Sequence, residues 1–110
     1  MARIDYIELP SPQLAATKAF YEATFGWSFA DFGPTYSATE TGDVDVGLDA
    51  APDKVDKPLP VIRVSNLERA AEAVVAAGGL ITVPIFGFPG GRRFHFQDPS
   101  GNVLAVWSTP

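Results

Sequence analysis

Six polar side chains in this 110-residue sequence sit inside short apolar runs, where a polar group needs either a partner or a task. Glu8 stands between Ile7 and Leu9. A carboxyl there can act as a general base or hold a cationic ligand group, and an ion pair with Arg63 or Arg93 would satisfy it equally well. His95 is the one histidine, flanked by Phe94 and Phe96. Its imidazole titrates near neutrality and suits general acid/base work or metal ligation, and it is also compatible with a strand histidine that has no chemical duty. Arg93 carries a guanidinium fork that matches a carboxylate or phosphate, whereas its neighbour Arg92 reads as a solvated charge. Asp45, Arg63 and Gln97 add polar anchors. Tyr6 and Trp107 supply aromatic surface on which a planar ligand can stack.

The strands that position these groups follow from a period of two. Ile7 and Leu9 belong on the helix side of the first strand, which turns Tyr6 and Glu8 to the opposite face. By the same rule Ile62 and Val64 leave Val61 and Arg63 on that face. Phe94 and Phe96 leave Arg93, His95 and Gln97, and Leu104 and Val106 leave Val103, Ala105 and Trp107. Val44, Val46 and Leu48 set Asp45 and Asp49 there as well. Aromatic walls with a few polar anchors describe small-molecule sites in general. The candidate catalytic groups are Glu8 and His95. The candidate ligand-binding groups are Tyr6, Glu8, Asp45, Arg63, Arg93, His95, Gln97 and Trp107.

The chain repeats itself at a spacing of 53 residues. Tyr6 to Leu14, followed by an Ala-rich run to Gly26, parallels Leu59 to Leu67, followed by an Ala-rich run to Gly79. Ser11 before Pro12 predicts an N-cap with proline at the first helical position, and Ala16, Ala19, Phe20 and Ala23 fall on one face of that helix. Ser65 and Glu68 have capping-box spacing, and Leu67, Ala70, Val74 and Ala77 line one face up to Gly78-Gly79. Strands are predicted over 27–32, 36–40 and 44–49 after the first helix. After the second they fall over 80–88, 92–97 and 103–108, with a loose Pro89-Gly90-Gly91 rim and a turn at Asp98-Pro99-Ser100-Gly101. The fold class is α+β: two βαβββ modules, about 1–50 and 59–110, joined by a linker over 51–58.

Two such modules, with Ala19-Phe20-Tyr21 through Phe25-Gly26-Trp27 in the first helix and Phe96-Gln97-Asp98-Pro99-Ser100-Gly101-Asn102 before the last strand, resemble the vicinal oxygen chelate superfamily. That group contains glyoxalase I, bleomycin-resistance proteins and extradiol dioxygenases. The resemblance implies a single domain whose modules form one curved mixed sheet enclosing a cup, and it implies a homodimer. It also implies a divalent metal held by His, Glu or Gln at four strand positions, which fall here on Tyr6, Leu59, Ala105 and, within a residue or two, Gly47. Leucine and alanine carry no donor atom, glycine offers only backbone, and a phenol of pKa about 10 is a poor ligand. No metal and no cofactor are therefore expected. The sequence points to a metal-free binder of a small organic molecule, similar to bleomycin-resistance proteins. The alternative is a lyase, isomerase or dioxygenase that uses displaced ligands or acid/base chemistry on Glu8 and His95.

Composition narrows the partners. Thirteen acidic against eight basic residues give a formal net charge of −5, which phosphate backbones and anionic lipid repel. There is no cysteine, no apolar signal core at the start, and no run near the roughly 20 apolar residues of a membrane helix. The expectation is a cytoplasmic domain that binds neither nucleic acid nor membrane.

Overall fold

Gly26 and Gly78 adopt φ of 70° and 96°, the left-handed conformation that stops a helix and that glycine adopts without a Cβ clash. The Gly26 N–H donates to Glu22 O, while Gly79 N–H reaches Val74 O and Gly78 N–H reaches Val75 O, the two-bond closure of a Schellman end. The computed structural model describes residues 2–53 and 56–110. Met1, at the head of the first predicted module, and Lys54 and Val55, within the predicted linker, lie outside the described residues. The elements are β1 (Arg3–Pro10), α1 (Leu14–Phe25), β2 (Ala30–Asp31), β3 (Tyr36–Ala38), β4 (Asp45–Asp49), β5 (Leu59–Arg63), α2 (Leu67–Ala76), β6 (Leu80–Phe88), β7 (Gly91–Gln97) and β8 (Val103–Ser108). The class is α+β with mixed strand pairing.

The chain divides into two compact units, Asp5–Leu59 and Pro60–Pro110, the latter with the N-terminal residues up to Ile4. Each repeats one pattern. In the first, the order β2-β3-β4-β1 pairs β1 parallel with β4 and the others antiparallel. In the second, the order β5-β8-β7-β6 pairs β5 parallel with β8 and the others antiparallel. The 53-residue repeat in sequence is thus a repeat in pairing. Among the described residues no helix is long and apolar enough to cross a membrane.

In the second unit, Leu67, Phe94 and Val106 form a buried cluster, packed by Ile62, Val64, Ala70, Ala71, Val74, Ile81, Ile85 and Phe96. Ile62, Val64, Phe94, Phe96 and Val106 are among the residues that alternation assigns to the helix side, and Leu67, Ala70 and Val74 lie on the predicted face of α2. Burying side chains of this size stabilises by about 2 kcal/mol each, so the helix face is well specified.

The first unit departs from expectation at its helix. No residue of α1 is buried, and Ala16, Ala19, Phe20 and Ala23 face water. The half-buried positions are Leu14, Thr17, Lys18 and Tyr21, the same helical spacing rotated to another face. α1 is tied to its sheet partly by polar contacts: Lys18 Nζ lies 2.9 Å from Asp31, which also accepts from Ser37 Oγ. Tyr21 stacks on Trp27 at 5.0 Å, leaving Phe20 and Phe25 57% and 62% exposed.

Both caps move from where spacing places them. Ser11 stays on the β1–β4 ladder, its N–H bonded to Asp49 O and its hydroxyl to Leu9 O, so Gln13 begins α1 with no side-chain cap. Asn66, not Ser65, caps α2, its side chain accepting from Arg69 N–H. The predicted loose rim is instead a tight hairpin turn. Phe88 pairs with Gly91, Pro89 and Gly90 are the central residues, and Gly90 has φ of 102°.

Candidate functional site

β1, β4 and β3 build one polar cluster inside the first unit. In register, Tyr6 faces Asp45, Gly47 lies between Glu8 on β1 and Ala38 on β3, and Asp49 faces Tyr36, so all of these share the face opposite the Ile7–Leu9 side. Tyr36 leans along that face and donates its hydroxyl to Glu8 Oε2 at 3.0 Å. Its oxygen also lies 2.5 Å from the hydroxyl of Tyr6. Glu8 is 6% exposed, so this phenol supplies a donor to a carboxyl shielded from water. Burial, then the charge of Glu8 and the neighbouring Tyr6, push the Tyr36 phenol well above its ordinary range, and it remains a protonated donor.

Gly47 makes this arrangement possible. A Cβ at that position would collide with the hydroxyls of both Tyr6 and Tyr36 and come within 2.8 Å of Tyr36 Cζ. The side-chain space of residue 47 is occupied by two phenols. Tyr36 was not among the sequence candidates. The alternation of the short run 36–40 was its only signal, and nothing local marks a partner 28 residues away.

Asp45 shares this face, but both its oxygens serve the preceding turn. Oδ1 accepts from Thr39 Oγ1, Thr41 N–H and Thr41 Oγ1, and Oδ2 accepts from Gly42 N–H. Partial burial raises its pKa, and these hydrogen bonds outweigh that and hold it below the ordinary aspartate range.

The second unit carries Arg63, Arg93, His95, Gln97 and Trp107. Arg63 and Arg93 both register with Trp107, and Val61 and His95 both register with Ala105; Gln97 pairs with Val103. All lie opposite the α2 side. His95 is 1% exposed and packs its ring 5.9 Å from Phe86. The Arg63 guanidinium lies 4.9 Å above the Trp107 indole, and that of Arg93 lies 5.4 Å over Phe86. Arg92 points elsewhere, into a bidentate ion pair with Glu68 on α2.

The metal that the family resemblance implies does not fit these residues. Leu59 is 2% exposed and Ala105 fully buried, neither with a donor, and the space beside Gly47 is filled. Tyr6 presents a phenol bonded to another phenol. Among the described residues, no group of three or more His, Cys, Asp or Glu could hold an ion.

Residues 3–106 match the model of the Glyoxalase/Bleomycin resistance protein/Dioxygenase superfamily, and the chain belongs to that family. CFP32 of Mycobacterium bovis, a glyoxylase by name, is 27% identical over 115 residues, covering 94% of this chain and 44% of that protein. The anthracycline biosynthesis protein DauV of a Streptomyces species is 28% identical over 124 residues, covering 93% of this chain and 45% of its own. The chain thus spans less than half the length of the curated relatives it matches. The Mn(II)-bound glyoxalase of Novosphingobium aromaticivorans has the same fold, with a TM-score of 0.69 and 20% identity over 98% of this chain and 40% of its own.

Proposed function

We propose that this protein binds a small organic molecule without a metal, in the manner of the bleomycin-resistance branch of its family, on the strand faces turned away from the helices. The observation that carries the reading is Gly47, where two tyrosine hydroxyls fill the space a metal-ligating side chain would need. The faces offer aromatic surface at Tyr6, Tyr36 and Trp107, with Glu8, Arg63 and Arg93 as polar anchors. Gln97 and His95 extend the second of these faces, while Asp45 serves its turn. Protein purified without chelator and titrated with Mn, Ni and Zn is expected to take up no stoichiometric ion. The same protein, titrated calorimetrically with a panel of aromatic compounds, is expected to bind. One equivalent of tightly held ion would overturn the reading.

A second reading is lyase or isomerase chemistry without metal, with Glu8 and His95 as the proton-transferring groups. The burial of both, at 6% and 1% exposure, favours it, because a shielded acid or base is the kind a proton-transfer step uses. Turnover abolished by both Glu8→Gln and His95→Asn, with ligand affinity retained, would establish it.

A further inference from the structure

β5, β8 and β7 set Arg63, Trp107 and Arg93 in a single row, one cation on either side of an indole. Phe88 closes against the same indole at 6.3 Å, and Arg93 lies 5.9 Å over Phe88. The arginines of this chain are not held alike. Arg92 is gripped on two nitrogens by Glu68, whereas Arg63 is exposed and has no carboxylate partner among the described residues. Its guanidinium rests 4.9 Å above Trp107. A guanidinium oriented by an aromatic plane keeps its N–H edge available, and that planar fork matches a carboxylate with two parallel hydrogen bonds. The positive charge of Arg63 is thereby held beside an aromatic ring, on a chain whose net charge is −5. A cationic ligand would be repelled at this row, and an anionic one drawn to it.

We propose that this row is the seat of a planar aromatic carboxylate, its ring against Trp107 and Phe88 and its carboxylate in the fork of Arg63. The inference rests on the small-molecule-binding reading above and names the class of ligand.

Calorimetry at low salt with 1-naphthoate, neutral 1-naphthalenemethanol and cationic 1-naphthylmethylammonium tests it. Naphthoate is expected to bind about tenfold or more tighter than the alcohol, as one charge-assisted hydrogen-bonded pair supplies, and the ammonium more weakly than either. Arg63→Gln should bring naphthoate down to the level of the alcohol, and Arg63→Lys should restore part of the loss. Arg69→Gln on α2 should leave all three unchanged. Trp107→Leu should weaken naphthoate and alcohol together. An undiminished naphthoate preference in Arg63→Gln would overturn the inference. Equal or tighter binding of the alcohol or the ammonium by the unmodified protein would also overturn it, while leaving the binding reading intact. Failure of all three compounds to bind at millimolar concentration would remove both.

Discussion

Replacing Gly47 by alanine isolates the packing that distinguishes the first unit. Within a strand, and without a positive φ, this change would ordinarily stabilise by about 0.4–1 kcal/mol through the unfolded chain. Here the new methyl meets both phenolic hydroxyls, with Tyr36 Cζ 2.8 Å away. Overpacking a filled site costs about 1–3 kcal/mol. Driving Tyr36 aside also strips a donor from the buried Glu8, and a hydrogen bond to a charged group contributes about 1.5–3 kcal/mol. The sum less the backbone gain is a net loss of about 3 kcal/mol, or about 12 °C in Tm at roughly 4 °C per kcal/mol. Thermal unfolding followed by circular dichroism reads it directly. In a Tyr36→Phe background the penalty of Gly47→Ala should shrink without vanishing, since the ring carbon remains. A Tm for Gly47→Ala equal to or above that of the unmodified chain would show that the phenols do not fill this space.

Tyr36→Phe alone should lower stability by about 1.5–3 kcal/mol at neutral pH, measured by urea unfolding, because Glu8 loses a buried donor. The raised phenol pKa makes a linked prediction: its contribution is complete below the ordinary tyrosine value and declines as pH rises above it. Stability should therefore fall with rising pH above about 10, more steeply than in Tyr36→Phe. On the acid side, hydrogen bonding to Arg92 draws the Glu68 carboxyl down to about 2, so its contribution is present above the usual glutamate range and disappears as pH falls toward 2. Glu68→Gln should flatten the acid limb of a Tm-versus-pH curve, less so in high salt, where this exposed pair is screened. Gly26→Ala should cost about 1 kcal/mol, read as a lower urea midpoint, since φ of 70° disfavours any Cβ.

What the sequence made legible was local or periodic. β6 and β8 begin and end where alternation and turn residues place them, and Ile62, Val64, Phe94, Phe96 and Val106 lie on the helix side that the period of two selects. Both helix stops are legible because a left-handed residue is nearly a glycine property. Long-range competition was not legible. Ser11 has the right chemistry for a cap, but β4 holds its N–H on the ladder. The apolar count of α1 marks Ala16, Ala19 and Phe20, yet Lys18 and Tyr21 have partners on β2 and at Trp27, which set the rotation instead. The polar cluster was half read. Tyr6 and Glu8 follow from alternation on one strand, but Tyr36 and the space beside Gly47 exist only once β1, β4 and β3 are in register.

The two helices occupy matching places in a repeated pattern but differ in how they are held. α2 is fastened by Leu67 and Val74 in the cluster around Phe94, whereas α1 has no fully buried residue. Opening α1 exposes little new apolar surface, so its backbone amides should exchange with deuterium by brief local fraying long before those of α2. A topology repeated twice along the chain thus yields one half that opens mainly with global unfolding and another whose outer layer loosens on its own timescale.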